Sequence, residues 1–233
     1  MTLFFQPDIS TDSNFLSAED SYHCSKVLRL KKNDPIQIVN GKGTLFEAVL
    51  SESNPKKSFF EITGIIENFG KRNYFIHIAI APTKNIDRFE WFLEKTTEIG
   101  IDEITPILCE HSERKNVNNE RMEKIIIAAI KQSKKAYFPK LNKLIPYKDF
   151  LEQNDTLVNM IAHCENGLKE NIKSMNVSLK NTTTLIGPEG DFSEKEIILA
   201  RQKGYHEINL GSFRLRTETA GIIACHTISL LNE

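Results

Sequence analysis

Thr183-Thr184-Leu185-Ile186-Gly187-Pro188-Glu189-Gly190-Asp191-Phe192-Ser193-Glu194-Lys195-Glu196 is the stretch of this 233-residue chain that decides its fold class. Thr183–Ile186 has strand composition and runs into a turn punctuated by glycine and proline. Ser193 stands three residues before Glu196, the spacing of a capping box, and Gly204 supplies a stop. Strand, tight loop and helix follow one another without a spacer.

The same alternation extends outward. Phe75–Ala81, Ile104–Cys109, Leu157–Ile161 and Glu207–Leu210 read as strands. Ile86–Ile99 reads as an amphipathic helix with Phe89, Phe92, Leu93 and Thr96 on one face and Gly100 at its end. Arg121–Tyr137 and Thr219–Leu231 read as two more helices. This order predicts an α/β fold, an open, mostly parallel sheet covered on both faces. The first 70 or so residues differ. Ile36–Val39 and Thr44–Leu50 flank Asn40-Gly41-Lys42-Gly43, a hairpin turn, and Phe59–Thr63 continues the pattern. Ser17 precedes a short helix carrying His23, Val27, Leu28 and Arg29. A small β-barrel over residues 1–72 and a larger α/β domain over 73–233 are expected, joined at Asn68–Asn73.

Hydrophobic residues make up 40% and charged residues 26% of the chain, which excludes a disordered or collagenous protein. The longest apolar run, around Ile125–Ile130, is far short of the roughly 20 residues that cross a bilayer, so no membrane partner is expected. Met1–Asp8 lacks the basic and apolar regions of a signal peptide. Cys24, Cys109, Cys164 and Cys225 are too scattered for a disulfide framework and suit a reduced cytoplasm. Three of them neighbour His23, His163 and His226, but zinc-ligand spacings are missing and no metal is expected.

Thirty basic residues against 31 acidic ones seem to argue against a nucleic-acid partner. Their distribution argues otherwise. Between His111 and Phe150, Arg114, Lys131, Lys134, Lys135 and further lysines and arginines far outnumber Glu113, Glu120, Glu123 and Asp149. Such a segment is either a solvated helix face or a phosphate-binding strip.

No G-x-x-x-x-G-K-[ST], G-x-G-x-x-G, G-x-S-x-G or H-E-x-x-H motif is present. Two loops between strand and helix stand out instead, where an open α/β sheet binds ligands. Gly187-Pro188-Glu189-Gly190 is either a structural turn or a place of close backbone approach to a ligand. Glu189 and Asp191 would repel phosphate and suit a ligand that is neutral or cationic, such as a sulfonium. In Leu210-Gly211-Ser212-Phe213-Arg214-Leu215-Arg216-Thr217-Glu218-Thr219-Ala220, Thr217 or Thr219 could cap the last helix with Glu218 complementing its dipole. Two arginines at a helix N-terminus are unfavourable there and point to an anionic partner.

Taken together these segments resemble the SPOUT-class methyltransferases, specifically the 16S ribosomal RNA (uracil-N3)-methyltransferase family. The resemblance runs through nearly the whole chain: His23, Val27-Leu28-Arg29 and the Gly41 turn; Lys95-Thr96-Thr97-Glu98-Ile99-Gly100; Ala129–Ser133 with Pro139; Gly187–Gly190; and Leu215–Ala220. It implies a PUA-like RNA-binding barrel, a C-terminal trefoil knot around the cofactor pocket, and a homodimer. It further implies S-adenosylmethionine held by Ile186, Gly187, Glu189, Gly190, Leu210, Gly211 and Leu215, with Arg216 and Glu218 catalytic. RNA would be held by His23, Arg29, Arg114, Lys131, Lys134 and Lys135, the substrate being 16S rRNA within a small-subunit particle. The chain departs from the pattern at Lys134-Lys135, where an Arg is frequent, at Asp191, where a third glycine is common, and in its Ser212–Leu215 lead-in. A non-catalytic RNA-binding protein, or a methyltransferase of the same fold acting on a ribose 2′-OH or another base, are the competing readings.

Overall fold

A computed structural model describes residues Met1–Glu233, which divide into two compact units. The first comprises Met1–Lys71 and Ile130–Phe138, the second Arg72–Ala129 and Pro139–Glu233.

In the first unit, β1 (Thr2–Phe5), α1 (Ala18–Tyr22), β2 (Pro35–Val39), β3 (Leu45–Glu52) and β4 (Phe59–Ile66) follow in order. The strands form one sheet, β1-β2-β3-β4, with β1 parallel to β2 and the other pairs antiparallel. Asn40 builds the β2–β3 turn, its side-chain oxygen accepting from the Lys42 and Thr44 amides at 2.8 and 3.1 Å. Gly43 takes φ +95° there, and a Cβ on it would overlap the Tyr137 ring. Phe4, Leu16, Ile36, Ile38, Leu50 and Phe60 pack as the core. Ser17 caps α1 by accepting from the Asp20 amide, and the helix runs on as a π-helical turn over His23–Val27. Leu28 and Arg29 lie beyond it, Arg29 with a left-handed φ of +55°. Strand β1 had no counterpart in the sequence reading.

The second unit contains β5 (Phe75–Ile80), α2 (Ile86–Ile99), β6 (Glu103–Leu108), α3 (Asn119–Ser133) except for its residues 130–133, which belong to the first unit, the two-residue strands β7 (Lys140–Leu141) and β8 (Ile145–Pro146), and α4 (Tyr147–Gln153). β9 (Val158–Ala162), β10 (Glu170–Asn171), β11 (Asn181–Ile186), α5 (Glu194–Gln202), β12 (His206–Asn209) and α6 (Thr217–Leu230) complete it. The sheet order is β10-β12-β9-β11-β5-β6-β7, β8 also pairing with β6, and every pairing is parallel. Both sheet faces are covered, which is why β5 and β11 are buried almost throughout. Ala79, Ala81, Ile161 and Leu185 join a core with Tyr147, Phe150, Leu151, Ile197 and Ala200 of α4 and α5. On the other face α6 packs on α2 and β5.

Two boundaries differ from expectation. The helix expected over Arg121–Tyr137 spans Asn119–Ser133, because Lys134 turns left-handed (φ +55°) and Pro139 disfavours helical geometry at Phe138. The residues after it are held within the first unit: Gly43 donates to the Ala136 carbonyl at 2.9 Å and Phe138 to the Gly41 carbonyl at 2.8 Å. The 72/73 division therefore leaves out a segment, 130–138, that returns to the first unit. Helix α4, seven residues beginning after Pro146, was not anticipated either.

At the amino ends of β5, β6 and β11, opposite the loops singled out above, polar groups bond to one another. His77 reaches Thr105 Oγ1 at 2.8 Å and Thr183 Oγ1 at 3.3 Å, while Asn142 donates to Glu103 and Thr105. Burial holds the His77 imidazole down at about 4, with Glu103 raising it slightly and Lys140 lowering it. Between that value and the ordinary 6.5 the unfolded chain binds the extra proton and the folded chain does not. Stability is therefore expected to be full above pH 6.5 and to fall as pH drops towards 4. Denaturant midpoints measured across that range check this, and His77→Gln should flatten the dependence.

Candidate functional site

Three loops leave the carboxyl ends of neighbouring parallel strands: residues 163–169 after β9, 187–193 after β11 and 210–216 after β12. They enclose a cavity of about 500 Å³, inside the size range of cofactor sites. The site occupies the crevice beyond the strand ends, where the helix-capped sheet leaves backbone groups free to meet a ligand.

The middle loop is fixed from several sides. The Asp191 amide donates to the Pro188 carbonyl at 2.9 Å, closing a tight turn. His111 Nδ1 donates to the Gly190 and Asp191 carbonyls, both at 3.1 Å. A Cβ on Gly190 would come within 3.1 Å of His111, and one on Gly187 within 3.1 Å of the Phe192 ring, so both positions require close approach. Phe192 is buried and packs against Tyr147. Beyond the loop, Ser193 and Glu196 form the capping box on α5, and Glu196 Oε1 also accepts from the Glu110 amide at 2.9 Å.

The last loop begins at Gly211, with φ +142°, and ends at α6. Arg216 occupies the N-cap position without a side-chain cap, and Thr217 is already helical. Neither Thr217 nor Thr219 caps this helix, so the α6 amides at the cavity edge have no side chain closing them off. Phe213 is 87% exposed at the rim.

The 163–169 loop carries no motif in the sequence, and its one signal there is the His163-Cys164 pair. His163 is buried and donates from Nε2 to Glu207 at 2.9 Å, and its Nδ1 has no partner. Desolvation and the nearby Lys169 hold His163 below its ordinary range, whereas Arg201 holds Glu207 ionised. Lys169 donates to the His163 carbonyl at 2.6 Å.

Of the residues expected at a cofactor, Ile186, Gly187, Glu189, Leu210, Gly211 and Leu215 line this cavity, together with Arg216. Gly190 does not line it and instead packs on His111. Glu218 is also absent from the lining. It is 5% exposed, with one carboxylate oxygen unpartnered and the other 3.9 Å from Arg88 Nε of α2.

The basic residues divide. Arg114 spends its guanidinium on the Thr83 and Lys84 carbonyls at 2.9 and 2.7 Å, and Lys131 pairs with the buried Asp20 at 2.7 Å. Lys134 is exposed and Lys135 half-buried, while His23 and Arg29 are exposed on the first unit. Lys131→Ala is accordingly expected to cost about 1 kcal/mol of stability, whereas Lys134→Ala should leave stability unchanged. Thermal denaturation of the two variants separates them.

A model of an RNA methyltransferase domain matches residues 71–229, and one of an RNA methyltransferase PUA domain matches residues 16–63. The ribosomal RNA small subunit methyltransferase E of Rickettsia conorii is 32% identical, the alignment covering 94% of this chain and 90% of that protein. A "probable rRNA-methyltransferase" of Porphyromonas gingivalis has the same fold, with TM-score 0.93, 38% identity and coverage of 100% and 98%. The ribosomal RNA small subunit methyltransferase E of Neisseria gonorrhoeae, solved bound to S-adenosyl methionine, gives TM-score 0.87, 25% identity and the same coverage. With a methyltransferase model spanning most of its length and a relative above 30% identity over nearly all of it, the chain belongs to the RNA methyltransferase family that includes the ribosomal RNA small subunit methyltransferases E.

Proposed function

We propose that this protein transfers a methyl group from S-adenosylmethionine to N3 of an unpaired uridine in 16S ribosomal RNA. The observation that carries the reading is one cavity, walled by three strand-end loops, that gathers glycine backbone, two carboxylates and Arg216. The residues fit the cofactor: Gly187 and Gly211 permit close backbone approach, and Glu189 and Asp191 suit a sulfonium. When bound, S-adenosylmethionine supplies a methyl group already activated for transfer.

This chain's residues then have to position and neutralise. Uracil N3 must lose its imide proton before it can act as a nucleophile, and negative charge then develops on the base. Arg216 holds that charge on a carbonyl oxygen in this reading, which its exposure at the cavity rim and its lack of a carboxylate partner support. Glu218, buried beside Arg88 with one carboxylate oxygen unpartnered, is the carboxylate that takes the N3 proton in this reading, orienting Arg216 being the other role open to it. N3 lies on the pairing edge, so the base must enter unpaired or flipped. His23, Arg29, Lys134 and Lys135 supply charge for the RNA backbone, and binding should weaken with salt. The native assembly in this reading is a cytoplasmic homodimer acting on a small-subunit particle, with the C-terminal segment knotted around the cofactor.

Calorimetry with S-adenosylmethionine, followed by methyl transfer to purified small subunits, tests the reading. Binding with transfer to RNA supports it. Absence of cofactor binding would favour a non-catalytic RNA-binding protein.

A further inference from the structure

We propose that Asp191 makes the pocket select the charged methyl donor over its demethylated, neutral thioether product. The inference rests on the cofactor reading above and assigns a specificity role to a residue at which the chain departs from the family pattern.

Asp191 takes a left-handed backbone (φ +63°), a conformation that glycine adopts freely and aspartate tolerates at some cost. What the side chain does with that position is specific. Oδ2 accepts from the Cys164 amide at 2.6 Å, across to the 163–169 loop, and Oδ1 accepts from the Phe192 amide at 2.8 Å. One carboxylate thus ties two walls of the cavity together and is itself held by both oxygens. A glycine in its place would leave two amide donors without these partners.

Asp191 lines the cavity and forms no ion pair. The other carboxylate in the lining, Glu189, gives Oε1 to the Lys84 amide at 2.9 Å. Lys169, Arg214 and Arg216 also line the cavity, so Asp191 and Glu189 supply the negative charge in a wall that holds three cationic side chains. S-adenosylmethionine and S-adenosylhomocysteine differ by one methyl group and the positive charge it brings. A fixed carboxylate facing a partly enclosed site attracts the first and has no such attraction for the second. Release of the product is then favoured by the same group that holds the substrate.

A purely structural Asp191 makes a different prediction. If it only clamps the loops, its loss weakens both ligands equally. Calorimetry of the wild-type chain, Asp191→Asn and Asp191→Gly with S-adenosylmethionine and with S-adenosylhomocysteine separates the two. The ratio of the two affinities is expected to shift about tenfold towards the thioether in both variants, as for a unit charge moved out of a partly screened site. Equal losses for both ligands, or an unchanged ratio, would overturn the selectivity role and leave the cofactor reading standing. If the wild-type chain binds neither ligand, the cofactor reading fails first and this inference with it.

Discussion

Arg216→Ala is expected to lower methyl transfer by about 10²–10³-fold while leaving the fold intact, the scale seen when one donor to a developing oxyanion is removed. The side chain is exposed, makes no cap on α6 and takes part in no ion pair, so the folded state has little to lose. What is lost is a fixed cation at the cavity rim. Arg216→Lys should recover only part of the rate, since an ammonium keeps the charge but not the planar fork. The loss should appear in kcat, with S-adenosylmethionine affinity within a few-fold of wild type. Steady-state kinetics beside calorimetry check both halves. Wild-type turnover in Arg216→Ala would remove this residue from the reaction.

Gly221→Val should be the most damaging single change to stability, about 3 kcal/mol or more. Gly221 lies within α6 where it crosses α2 and β5, and even a Cβ there would sit 2.6 Å from the Phe92 ring and 3.1 Å from Ile80. Both neighbours are fully buried, so neither can swing aside. Helix propensity alone favours replacing this glycine, which makes the sign diagnostic: a gain in stability would mean that α6 is not seated as described. Because Arg216 is the N-cap of α6 and Glu218 lies in its first turn, activity should fall with the fold. Urea denaturation at fixed pH measures the effect.

Much of this was legible in the chain. The alternation of strands and helices specified the parallel sheet, and Ile86–Ile99 was readable because its apolar face and its Gly100 stop agree, to which the structure adds an Asn85 N-cap. Other elements escaped for physical reasons. Strand β1 is four residues long and gains its order from pairing with β2, a contact no local pattern announces. Arg121–Tyr137 looked helical because Ala136 and Tyr137 continue a helix-compatible pattern, yet both are drawn to the β2–β3 turn. The candidate site divides the same way. Its two glycine loops were visible as punctuation between strand and helix. His111, the His163–Glu207 pair and the Asp191 bridge to Cys164 join residues far apart in sequence, and only the fold brings them together. Lys131 and Arg114 stood in the basic segment whose pattern left a solvated face and a phosphate-binding strip both open, and their partners in the fold, Asp20 and backbone carbonyls, are far away in sequence.

The most direct test of the central claim is nucleoside mass spectrometry of 16S rRNA from a strain lacking this protein, complemented with wild type or Arg216→Ala. The account predicts that 3-methyluridine disappears in the deletion, returns with the wild-type chain and does not return with Arg216→Ala. Undiminished 3-methyluridine in the deletion, or loss of a ribose-methylated or different base-methylated nucleoside instead, would contradict it.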